Sequence, residues 1–172
     1  QYLCAVIDQG PLLAERRALE QRNQQLHASE LRLEAVINSA LDAIISVDHR
    51  QRICLFNRMA CEVFRISAEA ALGQPLDNFI PPAQQLAHRL HVDTFGRSGT
   101  TRRRMGRMHG LAGMRSNGET FPIEASISRS GSGEATLLTV VLRDVTAARQ
   151  AETARQALLR AEGASRAKSE FV

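Results

Sequence analysis

Residues Gly113–Ile127 read GMRSNGETFPIEASI, and this stretch decides the fold. It divides into two strands around a tight turn. Asn117-Gly118 tolerates positive φ at both central positions, so the dipeptide predicts a two-residue hairpin turn of type I′. After the turn, Phe121, Ile123, Ala125 and Ile127 alternate with Thr120, Glu124, Ser126 and Ser128. A period of two puts one apolar face and one wet face on the strand. Pro122 interrupts the outward side. It has no N–H to donate, so its position is expected to face solvent or a bulge.

Working outward, Met105–Arg115 supplies the partner strand of this hairpin. Ser130–Glu134, SGSGE, is a turn, and Thr136–Leu142 is an apolar strand suited to the middle of a sheet. Upstream, Ala43–Val47 and Ile53–Phe56 form a second hairpin around the polar turn Asp48-His49-Arg50-Gln51. Asn57 is placed to cap a helix over Arg58–Phe64, because its side-chain oxygen can accept an orphan N–H of the first turn. Ser67 is a second N-cap candidate. Gly73-Gln74-Pro75 turns the chain, and Pro81-Pro82 precedes a helix over about Ala83–Phe95. That helix carries Leu86, Leu90 and His91 near one face, with His88, Val92 and Phe95 on another. Two strands, short helices and three strands define an α+β layout. It has a single antiparallel sheet with helices covering one face.

Composition excludes several classes. The 172 residues are 44% hydrophobic and 23% charged, which suits a globular domain with extra helix. Aromatics are only 4%, so the core is expected to be mostly aliphatic. No apolar run approaches the length of a membrane span. The chain opens on Gln1 rather than Met and reads as a piece of a longer protein. Cys4, Cys54 and Cys61 match no zinc spacing and suit a reducing compartment. The net charge of +4 is densest at Arg102, Arg103, Arg104 and Arg107. Without interleaved aromatics or a nucleic-acid motif, that cluster reads as a solvated loop or strand edge, and no nucleic-acid partner is expected. No paired carboxylates, Ser-His-Asp setting or phosphate-cradling glycine loop marks an enzyme.

The ends of the chain are helical. Leu12, Leu19, Leu26 and Leu33 recur every seven residues after the Gly10-Pro11 break. They make one seam of a coiled coil, and a parallel homodimer is expected. The companion column, Arg16, Asn23, Glu30 and Ile37, is poor, so the seam is marginal. At the other end, Asp144 or Thr146 can cap a helix over Ala147–Val172 whose seam is mostly alanine.

The segments LDAIISVDHRQRICLFNRMACEVF, ALGQPLDNFIPP, GMRSNGETFPIEASIS and LLTVVLRDVTAARQAE together resemble a PAS domain from about Leu33 to Ala151. The resemblance implies a five-stranded antiparallel sheet in order 2-1-5-4-3, helices enclosing a pocket, and parallel dimerisation through flanking helices. Residues 1–40 are then a linker and coiled-coil helix, 41–144 the sensory domain, and 145–172 a signalling helix. Asp144 and Thr146 fall where such domains pass signals to their output helix. The closing ASRAKSEFV resembles the segment before the phosphoacceptor helix of sensor histidine kinases. The phosphoacceptor histidine would lie beyond Val172, so no kinase activity is expected in the chain itself. The parent is expected to be a histidine kinase partnered by a response regulator. The module is expected to be cytoplasmic, with any membrane anchor of the parent in sequence outside it.

The pocket's occupant is left open: a small molecule, nothing, haem or flavin. Light-sensing flavin relatives carry a reactive cysteine in a GxNCRFLQ-type helix, and Cys61 lacks those neighbours, so flavin is disfavoured. The alternative to a plain sensory module is a haem-based oxygen sensor. Its axial histidine would be His88, with Arg107 or His109 toward the bound gas. A neutral imidazole can ligate haem iron.

Overall fold

In the computed structural model the described residues are 10–97, 102–104 and 110–169. The chain divides into two units, Gln1–Ser39 and Ala40–Val172. In the first, helix α1 covers Gly10–Asn38 and is built largely from Ala, Leu, Glu, Arg and Gln, all good helix formers. An i,i+4 pair supports it, with Arg16 Nε donating to Glu20 Oε1 at 2.9 Å.

The described residues of the second unit hold six strands: β1 Ala43–Val47, β2 Ile53–Phe56, β3 Arg102–Arg104, β4 Ala112–Met114, β5 Thr120–Ser130 and β6 Leu137–Asp144. All pairs are antiparallel, in the order β2-β1-β6-β5-β3, with β4 also paired to β5. This is the expected 2-1-5-4-3 sheet, with one change. The third strand is two pieces laid along one neighbour: Arg102–Arg104 against Ser126–Ser128, and Ala112–Met114 against Thr120–Pro122. Arg102–Arg104 thus form the last strand of that order among the described residues. The final strand is central, as its apolar sequence demands, but it runs to Asp144 rather than ending at Leu142.

The hairpin turn also differs from the two-residue type I′ form. Gly118 alone has positive φ, at 84°, and Asn117 is absent from the left-handed residues. Gly118 N–H donates to the Arg115 carbonyl and Arg115 N–H to the Glu119 carbonyl, both at 2.9 Å. The loop is therefore Ser116-Asn117-Gly118, three residues with glycine at the left-handed bulge position. Asn117 contributes with its side chain instead, accepting from Glu119 N–H at 3.1 Å.

Helices α2 (Arg58–Phe64), α3 (Ala68–Ala71) and α4 (Pro82–Arg97), with a 3₁₀ turn at Leu76–Phe79, complete the core layer. Asn57 and Ser67 are the N-caps of α2 and α3. Asn57 is buried and also bridges to the sheet. Its Oδ1 accepts from Ala60 and Ile44 N–H, each at 2.9 Å, and its Nδ2 donates to the Asp42 carbonyl at 3.1 Å. The core is largely aliphatic, yet four of the six phenylalanines gather in it. Phe64 is central to them, with ring centroids 5.9, 5.3 and 5.5 Å from Phe56, Phe79 and Phe121. Helix α5, Thr146–Ser169, leaves the end of β6.

Candidate functional site

A cavity of about 270 Å³ lies between the apolar face of the sheet and the helices. Strand alternation builds its floor: Ile123, Ala125 and Ile127 from β5, Val140 and Leu142 from β6, and Ile45 from β1. Phe64, Leu76, Phe79 and Ile80 close one side, and Gly110–Gly113 close another. Gly113 is there because nothing larger fits: a Cβ would stand 2.7 Å from the Phe121 ring and 3.3 Å from Phe64.

Helix α4 supplies the remaining wall, and it turns its polar side inward. Gln84, Ala87, His88 and His91 line the cavity, while Leu86 and Leu90 are exposed. The helical spacing set Leu86 and Leu90 apart from His88 but grouped His91 with the leucines, and it did not say which face the sheet would cover. Gln84 is fully engaged, donating to the Gly110 carbonyl at 2.7 Å and accepting from Ala112 N–H at 3.3 Å. It fastens α4 to the segment that closes the cavity.

His88 is mostly buried. Its Nδ1 faces Asp77 Oδ1 at 3.7 Å, beyond hydrogen-bond range, and has no partner. Burial pushes its pKa below the ordinary value, against the pull of the Asp77 carboxylate, so the ring is held neutral. A metal-binding histidine usually donates its other N–H to such a carboxylate, a bond left unmade here at 3.7 Å. The volume fails as well. Pockets that bury drug-sized ligands run from about 300 to 1,000 Å³, and a tetrapyrrole is a wider plate than such ligands. The cavity in this shape has a donor for haem but no room for it. Arg107 and His109 lie outside the described residues. Among the described residues no cluster of three or more metal-ligating side chains occurs.

The joint between β6 and α5 is the second feature of the site. Thr146 N–H donates to Asp144 Oδ1 at 2.8 Å, so Asp144 caps α5 and Thr146 is its first residue. The other carboxylate oxygen takes Arg115 Nη2 at 2.7 Å. Arg115 is nearly buried. It also donates to the Val63 carbonyl of α2, and its guanidinium lies over the Phe121 ring, 4.0 Å from the centroid. Burial alone would raise the Asp144 pKa, but the hydrogen bonds from Thr146 and the Arg115 guanidinium outweigh it and hold the carboxyl below its ordinary range. Val145 N–H donates to the Pro122 carbonyl at 3.1 Å, which fastens the first turn of α5 to β5. Sequence reading placed Asp144 and Thr146 at this joint and missed Arg115. An arginine just before a turn has no local mark of a partner 29 positions away. The adjacent Arg143 grips Asp42 with two bonds, 2.8 and 3.1 Å, where the chain enters β1.

Leu12, Leu19, Leu26 and Leu33 are each more than half exposed on α1. No helix among the described residues is long and apolar enough to cross a membrane.

A curled antiparallel sheet with short helices enclosing an apolar cavity defines a sensory α+β module. Residues 31–145 match the family model of the PAS fold, and the chain belongs to that family. It is 28% identical over 133 residues to the sensor protein FixL of Bradyrhizobium diazoefficiens, covering 77% of this chain and 26% of that protein. It is also 28% identical over 120 residues to an uncharacterized protein of Azorhizobium caulinodans, covering 69% of this chain and 16% of that one. The chain thus spans about a quarter or less of these curated relatives. Among solved structures, the PAS domain of an HTR-like protein from Haloarcula marismortui superposes with a TM-score of 0.58 at 23% identity, over 73% of this chain and 98% of that one. A PAS domain from a two-component sensor histidine kinase gives 0.52 at 18% identity, over 67% and 98%. At these identities the structures speak for the fold alone.

Proposed function

We propose that the chain is the sensory and relay module of a two-component histidine kinase. It would pass the state of its cavity, or of an upstream input, to the kinase through α5 in a parallel homodimer. One observation carries this reading: the Arg115–Asp144 pair joins two residues that each stand two positions from the cavity wall, at Gly113 and Leu142. Residues two apart on a strand share a face, so a shift of the wall is a shift of the helix cap. The likeness to the sensor protein FixL supports a sensor-kinase parent; a response-regulator partner and a cytoplasmic setting for this module go with that proposal. The heptad leucines of α1 bury little within one chain, which supports their pairing across a dimer. A ligand shifts an equilibrium only by its differential affinity for two states. The alanine-rich α5 supplies those states, since two packings of small residues differ by only a few kcal/mol.

The cavity suits a small, mainly apolar molecule with one polar group to meet His88. The absorption spectrum of the purified protein tests the occupant. Transparency above the protein band is expected. A Soret band lost in His88→Ala would establish the haem-sensor reading instead, and a flavin band would establish light sensing. For the relay itself, Asp144→Ala in the full-length kinase is expected to leave activity fixed, high or low. A normal response in that variant would reduce Asp144 to a helix cap.

A further inference from the structure

We propose, resting on the sensory reading of the chain, that the cavity's ligand is a neutral hydroxylated hydrocarbon, an alcohol or phenol that donates its O–H to His88 Nε2. Size comes from the volume: about 270 Å³, at about 30 Å³ for each water-sized group, holds about nine non-hydrogen atoms. Among the described residues, no lysine, arginine, aspartate or glutamate lines the cavity. A buried charge without a partner costs far more than a hydroxyl, so an ionised ligand does not suit it. The polar groups of the closing segment are taken. The Gly110 carbonyl and Ala112 N–H bond to Gln84, and the Leu111 carbonyl accepts from Ile123 N–H at 3.1 Å. His91 is exposed. His88, mostly buried, is the polar side chain left for the ligand.

The tautomer of His88 decides what the polar group must be. His88 lines both the cavity and a more open groove on its other side, whereas Asp77 lines only the groove. The ring therefore stands between the two, with Nδ1 on the Asp77 side, 3.7 Å from Oδ1. Arg89 Nε donates to Asp77 Oδ2 at 2.7 Å and holds that carboxylate in place. A neutral ring carries one hydrogen. A lone pair on Nδ1 would face the carboxylate oxygen and be repelled. An N–H there is attracted, even at a separation too long for a hydrogen bond. The hydrogen thus sits on Nδ1, and Nε2, across the ring and toward the cavity, keeps the lone pair. Burial holds the ring neutral, so Nε2 has no proton to offer a carboxylate or an ether oxygen. A hydroxyl supplies the donor that Nε2 accepts, and the hydrocarbon meets the rest of the wall.

The test is calorimetry of the whole chain at about pH 8, above the ordinary imidazole range, with four probes of similar size. 4-Ethylphenol offers a donor, its isomer 4-methylanisole only an acceptor, 4-ethyltoluene neither, and 4-methylbenzoate a charge. 4-Ethylphenol is expected to bind saturably at one site per chain, about tenfold more tightly than 4-methylanisole, the worth of one hydrogen bond. 4-Methylbenzoate should not bind. His88→Phe should erase the preference for the phenol while 4-ethyltoluene still binds, which loss of a merely structural histidine would not produce. In the unmodified protein, nitrogen NMR of the His88 ring should show Nε2 moving with 4-ethylphenol and not with 4-methylanisole, a readout that needs no variant to fold. Equal affinity for phenol and ether, a phenol preference kept in His88→Phe, or tighter binding of the benzoate would each overturn the hydroxyl assignment while leaving the cavity a ligand site. Saturable binding by none of the four would overturn both.

Discussion

Arg115 Nη2 lies 2.7 Å from Asp144 Oδ2, and this pair ties the hairpin before β5 to the first residue of the output helix. It closes a short chain of contacts from the cavity wall to α5. Arg115 is 10% exposed and Asp144 24%, so neither charge is well solvated if the other is lost.

Asp144→Ala removes that partner and the α5 cap together. A broken buried pair costs about 3–5 kcal/mol and a lost cap about 1. Arg115 keeps the Val63 carbonyl, the Phe121 face and a second carboxylate, Glu119 Oε1 at 3.3 Å from its Nε, which lowers the sum. A loss of about 2–3 kcal/mol in urea unfolding is expected, with the fold retained. Asp144→Asn should lose less, because the cap survives the charge. Equal losses for the two variants would remove the cap from the account and leave the ion pair alone.

Stability should fall with acid in two stages. The His88 pKa is lowered on folding, so between that value and the ordinary 6.5 the unfolded chain binds the extra proton. Stability is then full above about pH 6.5 and declines as the pH falls through the folded value. Asp144 and Asp48 are also lowered, Asp48 chiefly by the Arg52 and Arg50 N–H groups, and their contribution is lost below the ordinary carboxylate range near 3.8. His88→Gln should flatten the first stage and leave the second. Chemical unfolding across pH 3–8 reads both, and an unchanged first stage would move it to another group.

Gly113→Ala should cost about 1–3 kcal/mol, the range for overpacking a core. The added methyl meets the Phe121 ring, on which Arg115 rests. The same change should therefore disturb the Asp144 cap, seen as a shifted Thr146 amide resonance. A neutral effect on both would mean that the ring yields freely.

Asn57→Ala should cost about 3 kcal/mol or more, since it removes an N-cap and strands the Ile44 N–H and the Asp42 carbonyl. Asn57→Asp keeps the acceptor and should recover part of the loss. A thermal midpoint unchanged in the alanine variant would contradict the bridging role.

Polar replacement of Leu19 and Leu26 should convert a dimer to a monomer in light scattering while leaving the PAS core folded. If the unmodified chain is monomeric at high concentration, the seam does not pair.

Local chemistry was enough for much of this protein. Period-two alternation marked β5, and its apolar residues Ile123, Ala125 and Ile127 do line the cavity. Asn57, Ser67 and Asp144 were legible as caps, because a cap is a bond between near neighbours. Other features depend on partners distant in sequence, and there the tertiary structure decided. Asn117-Gly118 permits two kinds of turn, and the register of β4 on β5 selected the three-residue loop. The spacing of α4 separated Leu86 and Leu90 from His88, but only packing against the sheet turned the histidine inward. Arg115 carries no local mark of its partner, since the pair forms only when two strands and a helix converge on one point. Periodicity and capping are short-range and can be read along the chain. Burial, charge pairing and the shape of a cavity are set by which segments meet, and that is fixed only when the sheet closes.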